Sequence, residues 1–505
     1  MVGLPLCGLV VLFTCGVFGD FVSSPPIPSD KTTPIHQRLA FRGPTAMVVA
    51  WNTFQRIATP TVHYGTRIDA LTSSASSDSS VTFPTSRTWA NTVVLTDLQP
   101  YTTYYYKIES TNSSVLTFTT ARIPGDMTPF TAAAVIDMGL FGKDGMTVPA
   151  SKRHLIPRIE PGLEHTTIGA LDRMSSEYDF IIHPGDIAYA DNWITANPLY
   201  AFFQAQAYES ITERFFLQLQ SISGIKPYMV GPGNHEATCV EMPFPCAAGQ
   251  KNFSSFINRY GLVMPTATTI NSLTSVAAAA ARAHASRLAK PPFWYSFDYG
   301  MAHFVMFDTE TDLGNGIIGP DEPGGGANLG SGPFGGKNQQ FNFLQQDLAS
   351  VDRAVTPWLI VAGHRPWYSA KPTCSECQKA FESLFIQYGV DLAVFGHVHN
   401  MQEIAPIAND VVDPAGLNNP KAPWYIVTGA AGNIEGLAPL GEQPSYITWA
   451  DDTVFGFSKL LFQDRNHLTV QFVRSRDGVI LRNSTLYKAH TTRFVGALAG
   501  VKWSQ

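Results

Sequence analysis

Apolar residues recur along the chain with two different spacings, and the change falls near Pro124. Between about Ile35 and Thr120, short β-branched or aromatic runs such as Ala46–Trp51 are separated by clusters of Ser, Thr, Gly and Pro. This pattern is typical of short strands joined by turns and predicts a β-sandwich of about 90 residues. After Pro124, apolar runs alternate with segments of three-to-four spacing, which predicts an α/β layout with parallel crossovers.

The elements after Pro124 can be placed on the sequence. Buried strands are predicted at Phe130–Ile136, Tyr178–Ile182, Pro227–Val230, Trp358–Ala362, Leu392–Phe395 and Trp424–Val427, and helices at Pro198–Gln220, Phe341–Val355 and Cys377–Tyr388. Two inserts interrupt the pattern, one Ala-rich near Ala277–Ala281 and one Gly-rich from Gly314 to Gly336. We expect both inserts to form a pocket rim. The end of the chain, from Thr453 to Arg482, returns to alternating strands.

The first 19 residues are predicted to be a signal peptide. The apolar run Leu4–Phe18 is about 15 residues long, shorter than the roughly 20 that a spanning helix needs, and small residues precede a cut at Asp20. An uncleaved anchor is the alternative, because the start carries no Lys or Arg. We therefore expect a secreted protein without stable membrane insertion, with a sandwich domain over residues 20–124 and a second domain over 125–505.

Composition narrows the classes of partner. The 505 residues are 45% hydrophobic and 15% charged, with a net charge of −6 at pH 7 and no long basic run. A chain of this kind folds, and it offers no obvious source of the phosphate-backbone attraction that drives nucleic-acid binding. A nucleic acid polymer is therefore an unlikely partner. The oligomeric state is not encoded in any feature of the sequence.

Secretion changes how the cysteines and asparagines are interpreted. Asn-x-Ser/Thr sites at Asn112, Asn252 and Asn483 are predicted glycosylation acceptors. The mature chain keeps Cys239, Cys246, Cys374 and Cys377, and the close spacings favour disulfides between the first two and between the last two. A zinc site built from the four thiolates, or a redox Cys-x-x-Cys, is the alternative.

The candidate chemistry follows the predicted strands. Five clusters of potential ligands lie just after apolar runs, and glycine is close to each. The clusters are Asp137-Met-Gly139, Gly185-Asp-Ile-Ala-Tyr189, Gly233-Asn-His-Glu236, Gly363-His364 and Gly396-His-Val-His399. In an open α/β sheet, groups past the carboxyl ends of strands converge on one crevice, so a metal centre is predicted there.

The ligand types indicate which metals. A phenolate binds at neutral pH only if a strongly Lewis-acidic ion displaces its proton, so Tyr189 with Asp137 suits trivalent iron. Two imidazoles and an amide oxygen suit a softer divalent ion. We expect Asp186 to give one carboxylate oxygen to each metal. Two ions about 3.5–4 Å apart can clamp both oxygens of an in-line displacement.

These five motifs in this order resemble the purple acid phosphatases, and the resemblance covers nearly the whole mature chain. It implies a fibronectin type III-like β-sandwich followed by an α/β metallophosphoesterase domain, a sheet sandwich flanked by helices, as in the large plant and fungal form. The stretch Leu98–Tyr106 is similar to the corner of fibronectin type III-like domains. By the resemblance, Fe(III) would be held by Asp137, Asp186, Tyr189 and His399. A divalent Zn, Mn or Fe would be held by Asp186, Asn234, His364 and His397.

The same resemblance gives His235 a role in meeting the phosphate and Asp308 a supporting or structural one. Many plant-type members carry histidines nine or ten residues after the Gly-His histidine, where this chain has Thr373 and Cys374. The leaving-group proton could therefore come from His235, from Glu236 or from water. Arg365 could meet the substrate phosphate or form a surface salt bridge.

The predicted function is that of a secreted acid phosphatase, in which metal-bound hydroxide attacks small phosphate monoesters at an Fe(III)–M(II) centre. A phosphodiesterase or nucleotide pyrophosphatase on the same metal core is the first alternative. A non-catalytic secreted adhesion protein that binds partners through the sandwich is the second.

Overall fold

The strands between Ile35 and Thr119 form two four-stranded antiparallel sheets, ordered β1-β2-β6-β5 and β4-β3-β7-β8. The computed structural model describes residues 24–139, 166–191, 204–237, 252–266, 276–311, 335–336 and 338–490. The strands of this part are β1 Ile35–Phe41, β2 Met47–Thr53, β3 Thr61–Gly65, β4 Ser73–Ser76, β5 Ser80–Val81, β6 Trp89–Leu95, β7 Thr103–Ile108 and β8 Leu116–Thr119.

The sandwich core follows from alternation, because successive side chains of a strand point to opposite faces. Trp51 on β2 and Tyr106 on β7 are fully buried. The corner expected from the sequence is present: the Gln99 backbone N–H donates to the Tyr104 hydroxyl at 2.9 Å. This bond fixes the chain where it enters β7 and is the tyrosine corner of such sandwiches.

The rest of the chain builds a second pair of sheets, of six and seven strands. Their orders are β11-β10-β9-β21-β22-β23 and β12-β13-β14-β15-β19-β16-β20. A small hairpin joins β17 to β18. The strands are β9 Phe130–Ala134, β10 Phe180–Pro184, β11 Tyr228–Gly231, β12 Tyr295–Tyr299, β13 Ala302–Met306, β14 Trp358–Ala362, β15 Leu392–Phe395, β16 Met401–Ile404, β17 Ile407–Ala408, β18 Val411–Val412, β19 Trp424–Thr428, β20 Ile447–Asp451, β21 Gly456–Phe462, β22 His467–Arg474 and β23 Ile480–Tyr487.

The two large sheets face each other through aromatic side chains. Phe304 of β13 meets Phe180 of β10 edge to face at 5.3 Å and Phe462 of β21 edge to face at 5.6 Å, so one side chain of the seven-stranded sheet contacts two of the six-stranded sheet. All six strands predicted from the sequence are present. The sheet sandwich implied by the family resemblance is confirmed, because the predicted strands are divided between two sheets that face each other. Parallel pairing occurs in both, in β9-β10-β11 and in β13-β14-β15-β19.

Helices flank these sheets. They are α1 Thr166–Arg173, α2 Gln204–Ser223, α3 Ser254–Tyr260, α4 Val276–Leu288, α5 Gln339–Ala349 and α6 Ser375–Tyr388. The predicted helices correspond to α2, α5 and α6, and no described helix is long and apolar enough to span a membrane. The Gly-rich insert lies outside the described residues except for Gly335 and Gly336, and the predicted signal peptide also lies outside them.

The Ala-rich insert is helix α4, which packs against α5. Its Arg282 is buried and donates to the Ser350 hydroxyl at 2.7 Å. Arg282 also lies 3.8 Å from Asp298 and 3.9 Å from Asp347, the two carboxylates that hold the His303 ring at 2.7 and 2.8 Å. The insert therefore joins a buried cluster of two carboxylates, one guanidinium and one imidazole.

Protonation of His303 balances this cluster, so the stability of the protein should depend on it. Burial opposes the charge, but Asp347 and Asp298 outweigh burial and raise the pKa of His303 above its ordinary 6.5. A raised pKa gives stability that is complete below about pH 6.5 and is lost as pH rises through the folded-state pKa. We expect His303→Gln to lower the free energy of unfolding at pH 5 by about 3 kcal/mol, since it leaves an uncompensated buried charge.

Urea unfolding measures the difference in free energy of unfolding between the unaltered protein and His303→Gln. It is measured at pH 5 and at a pH above the folded-state pKa of His303, and the difference should be smaller at the higher pH. The exposed His467, 2.9 Å from Asp464, provides a control, and His467→Gln should change little at either pH. An equal loss of stability for His303→Gln at both pH values would contradict the prediction.

The sandwich and the second part share a polar contact surface on α2 and the residues that follow it. Arg87 pairs with the buried Glu213 at 2.9 Å, and the Tyr106 hydroxyl donates to the Gly224 carbonyl at 2.7 Å. Glu213 lies on α2, and Gly224 follows the end of that helix. These contacts place the sandwich against a helix of the second part.

One of the two predicted disulfides lies within the described residues. Cys374 and Cys377 are bonded to each other at the start of α6, which excludes both from a thiolate zinc site. Cys239 and Cys246 lie outside the described residues. The asparagines of the predicted glycosylation sites are all exposed, Asn112 and Asn252 in turns and Asn483 on the edge strand β23.

Candidate metal centre

The predicted ligand residues meet at the carboxyl ends of strands from both large sheets. Asp137, Asp186 and Asn234 follow β9, β10 and β11 of the six-stranded sheet. His364 and His397 follow β14 and β15 of the seven-stranded sheet, and His399 is two residues further on. Each sheet therefore supplies part of the site, and the facing of the two sheets brings the parts together.

One group of donors surrounds the Tyr189 phenolic oxygen. This oxygen lies 3.0 Å from Asp137 Oδ1, 3.1 Å from Asp186 Oδ2 and 2.7 Å from His399 Nε2. A single hydroxyl proton can serve only one of these acceptors. A highly charged cation among the four side chains fits this arrangement, because it would satisfy all of the lone pairs at once.

A second group of donors surrounds the Asn234 side-chain oxygen. His364 Nε2 and His397 Nδ1 each lie 3.0 Å from Asn234 Oδ1. His364 Nε2 is also 3.1 Å from Asp186 Oδ2. Two imidazole nitrogens, an amide oxygen and a carboxylate oxygen suit a divalent transition metal.

Asp186 joins the two groups through one oxygen. Its Oδ2 faces both Tyr189 and His364, while its Oδ1 accepts the His235 backbone N–H at 2.9 Å. Here Oδ2 alone faces both donor groups, and the expectation that Asp186 gives one oxygen to each metal stays a prediction. The two oxygens of Asp137 also have different partners. Its Oδ1 faces the Tyr189 hydroxyl, while its Oδ2 accepts the His397 backbone N–H at 2.7 Å.

The charges of the site oppose one another in the absence of cations. Burial raises the pKa of Asp137 well above its ordinary value, although His364 opposes this. Burial also acts to raise the pKa of Asp186, but His364 and His235 outweigh it and lower that pKa well below its ordinary value. Burial and the two carboxylates raise the pKa of the Tyr189 phenol. A phenol held in this way ionises only if a strong Lewis acid takes the place of its proton.

The loops that carry the ligands have an unusual backbone. Asp137, Asp186, Tyr189 and His397 all have positive φ, between 51° and 63°. Few residues other than glycine adopt this left-handed conformation. The chain is also crowded, because a Cβ at Gly233 would collide with the Asp186 carboxylate. Glycine at 233 therefore allows the two loops to approach each other.

His235 lies beside the donor groups without joining them. Its ring contacts Tyr189 with centroids 4.1 Å apart and planes tilted by 33°, and its Nδ1 is 2.9 Å from Asp191 Oδ1. Burial lowers the pKa of His235, but Asp191 and Asp186 outweigh burial and raise it well above the ordinary value. Asp191 is buried and was not identified from the sequence, although its place two residues after Tyr189 could have indicated it.

Glu236 has a supporting position. Its two carboxylate oxygens accept the backbone N–H groups of Asp186, Ile187 and Gly233 at 2.8 to 2.9 Å. Burial and the charge of Asp186 raise the pKa of Glu236 to about 8, while the N–H donors favour its ionised form. The side chain thus fixes the loop that carries Asp186, and the geometry gives no support to Glu236 as a proton donor.

Three further side chains near the site, those of Arg365, Asp308 and Glu435, contact protein groups that define their roles. Arg365 is fully buried and pairs with Glu310 at 2.8 Å, so the salt bridge is formed in the interior, and a surface location is wrong. The Asp308 carboxylate accepts the backbone N–H groups of Glu310 and Thr311, a structural role. Glu435 was not singled out in the sequence. It lies 3.8 Å from His399 Nδ1, where it can orient that ring.

Three protein-family profiles match successive regions of the chain. The profile of the Purple acid Phosphatase N-terminal domain matches residues 34–120, and that of the Calcineurin-like phosphoesterase domain matches residues 154–401. The profile of the Iron/zinc purple acid phosphatase-like protein C region matches residues 422–482.

Curated and solved proteins agree with these profiles. The chain is 51% identical over 505 residues to acid phosphatase A of Cryphonectria parasitica, covering 98% of both chains. It is 29% identical to an acid phosphatase of Aspergillus ficuum, covering 78% of this chain and 75% of that one. The structure is similar to a purple acid phosphatase from yellow lupin seeds with a TM-score of 0.64 and 23% identity, over 90% of this chain and 75% of that chain.

Proposed function

Because this chain belongs to the purple acid phosphatase family, we propose that it hydrolyses small phosphate monoesters at a centre of two metal ions. The observation that carries the proposal is the pair of donor groups that share Asp186 Oδ2. A shared carboxylate oxygen between an aspartate–phenol–imidazole group and an imidazole–amide group suits two adjacent cations of different character.

The proposed ligands are the seven side chains of those groups. Fe(III) would be held by Asp137, Asp186, Tyr189 and His399, and a divalent Zn, Mn or Fe by Asp186, Asn234, His364 and His397. Bound there, the ions would neutralise phosphate charge and lower the pKa of water, which makes a nucleophile available at acidic pH. The chain itself fixes the donors through the backbone N–H bonds to Asp137 and Asp186.

We assign to His235 the contact with the phosphate and the proton that the leaving group needs. Its Nδ1 is held by Asp191, and its Nε2 is 3.8 Å from Asp186 Oδ2, on the side of the proposed ions. A protonated ring in this position donates to a phosphate oxygen, and then passes its proton to the departing alkoxide. Asp191 keeps the ring oriented during that transfer.

Secretion and glycosylation complete the proposal. An extracellular place suits the predicted signal peptide, the Cys374–Cys377 disulfide and the exposed asparagines at 112, 252 and 483.

The test of the function is metal analysis of the secreted protein together with turnover of a monoester and a diester. One iron and one divalent ion per chain with a preference for the monoester is expected. A preference for the diester would favour the phosphodiesterase alternative.

Colour tests the iron assignment directly, because phenolate-to-Fe(III) charge transfer absorbs visible light. The iron-loaded protein should be coloured, and Tyr189→Phe should bleach it. Tyr106→Phe is a matched control, since Tyr106 is a fully buried tyrosine whose hydroxyl donates to a backbone carbonyl far from the proposed ligands. A visible spectrum measures both variants. A colourless oxidised wild type with full iron content, or a Tyr189→Phe variant that keeps its colour, would contradict the assignment.

A further inference from the structure

Two buried arginines lie where the first strand of the sandwich contacts helices α2 and α3. Arg38 is on β1 and Arg259 is on α3, and both residues are buried. Arg38 Nη2 donates to the Arg259 carbonyl at 3.0 Å, so the two residues are direct neighbours. A guanidinium taken out of water is costly unless hydrogen bonds and an opposite charge compensate for it. The partners of the two arginines therefore decide what this junction can bind.

Arg38 is compensated by neutral groups only. Its Nη1 donates to the His36 carbonyl at 2.9 Å and to Asn52 Oδ1 at 2.8 Å, and its Nη2 donates to the Arg259 carbonyl. Its buried Nε has no hydrogen-bond partner within the part of the chain that the structure describes. Burial lowers the pKa of Arg38 to about 10; Tyr260 acts against burial, and the charge of Arg259 adds to it.

Arg259 has fewer partners than Arg38. Its Nε lies 3.4 Å from the Ser255 hydroxyl, and its guanidinium lies over the Phe216 ring, 5.0 Å from the centroid. Its terminal nitrogens, Nη1 and Nη2, are buried and have no hydrogen-bond partner among the described residues. Buried donors of a charged group are normally satisfied. The N–H groups of both nitrogens are therefore available to an acceptor that the described side chains do not provide.

The carboxylates near the junction do not balance both cations. Glu213 of α2 acts on Arg259, but its carboxylate is already paired with Arg87 at 2.9 Å. None of the described residues places a carboxylate in ion-pair contact with Arg38 or Arg259. One negative charge is thus shared by two guanidiniums, and the junction has a surplus of positive charge.

The neighbouring imidazole reports this surplus. His36 is fully buried on β1. Burial and the charges of Arg259 and Arg38 lower the pKa of His36 well below its ordinary 6.5, although the Glu213 backbone opposes them. The ring is therefore neutral, and it adds no charge of either sign to the junction.

The backbone holds the donors in place. His36 has a φ of 57°, and the pairing of β1 with β2 shifts its register between Ile35 and Arg38. The His36 backbone N–H donates to the Gln220 side-chain oxygen of α2 at 2.7 Å. A bulge of this kind redirects side chains, and here a helix of the second part fixes it. The guanidinium of Arg38 is thus positioned before any ligand binds.

We propose that Arg259 and Arg38 form a site for one compact monovalent anion, such as chloride, at the junction of the sandwich with α3. Such an ion would offset the surplus charge and accept charge-assisted hydrogen bonds from the Arg259 Nη atoms. The rings of Phe216 and Tyr260 lie 6.1 Å apart beside the two guanidiniums. Because the donors are buried among these rings, a compact ion suits the site better than a bulky organic anion. The site shares no residue with the proposed metal centre and does not depend on the proposed function.

Bromide is the probe, because it has the charge of chloride and an anomalous X-ray signal. Crystals of the metal-loaded protein grown in sodium bromide should show an anomalous peak in contact with the Arg259 Nη atoms. Urea unfolding is also measured at constant ionic strength while bromide replaces gluconate. Once bromide exceeds its Kd, one ion bound only by the folded protein adds about 1.4 kcal/mol to the free energy of unfolding for each tenfold rise in bromide.

Arg259→Met removes the charge and keeps an apolar side chain, so it should abolish both the anomalous peak and the specific bromide dependence. Arg42→Met is the matched control. Arg42 directly follows β1, and its Nη2 donates to the Leu262 carbonyl just after α3 at 2.8 Å. It therefore joins the same two parts of the chain from outside the cluster, and its loss should preserve the peak and the bromide dependence. Comparison of the variants also removes the general effect of the salt.

A wild type that responds to bromide no more than Arg259→Met would overturn the proposal in favour of a general salt effect. An anomalous peak without that difference in stability would mean an adventitious ion only. If Arg259→Met does not fold, Arg259→Gln replaces it with the same expected losses. A wild-type crystal in bromide without a peak at Arg259 would refute the site whatever the variants do.

Discussion

Replacing Asp186 by alanine should remove both metal ions and lower phosphatase turnover by more than about 10³-fold. Loss of a residue that merely orients a ligand costs about 10–100-fold in metal affinity or activity, and Asp186 contacts both donor groups through one oxygen. Its other oxygen also holds the His235 backbone N–H. Metal content per chain and turnover of a monoester measure the effect.

Asp97→Ala provides a control for the backbone, because Asp97 has a φ of 59°, close to the 52° of Asp186, but is exposed in the sandwich. It should leave metal content and turnover unchanged. The sandwich should stay folded in Asp186→Ala, since it has a buried core of its own, with Trp51 and Tyr106 fully buried. An Asp186→Ala protein with two metals and undiminished hydrolysis would refute the two-metal assignment.

His235→Ala should lower kcat by about 10²–10³-fold while both metals and the colour are retained. A positioned acid or base contributes about 10²–10⁴-fold. His235 contacts the Tyr189 ring without belonging to either donor group. Asp191→Asn should lower kcat less, because the ring stays in place but loses the carboxylate that orients it. Loss of colour in His235→Ala would show that the ring supports the iron site.

The ligand residues could be predicted because each follows an apolar run and has glycine close by. Trp358–Ala362 and Leu392–Phe395 were placed at the bounds that the structure has, since fully buried strands read as continuous apolar runs. Strands β12 and β13 were not predicted. Their sequence mixes aromatic residues with the buried Asp298 and His303, whose burial depends on partners from α4 and α5.

What depends on contacts between distant segments could not be predicted. The sheet sandwich was expected only from the family resemblance. Which strand belongs to which sheet is determined by how aromatic faces pack, as between Phe180 and Phe304, and a local pattern does not encode that choice. The partner of Arg365 is similarly distant, because Glu310 is 55 positions away in the chain. The orientation of the Asp186 carboxylate depends on the backbone of a loop beyond β11, because its Oδ1 accepts the His235 backbone N–H there.

The left-handed backbone at Asp137, Asp186, Tyr189 and His397 has a consequence for engineering and for evolution. Each such non-glycine residue costs about 1–2 kcal/mol, so together they consume a sizeable part of the roughly 5–15 kcal/mol by which a domain is stable. Ions that bind only the folded chain return that stability in proportion to the logarithm of their concentration. Selection for heat tolerance under metal starvation should therefore favour glycine at these four positions, and would dismantle the ligand set while strengthening the fold.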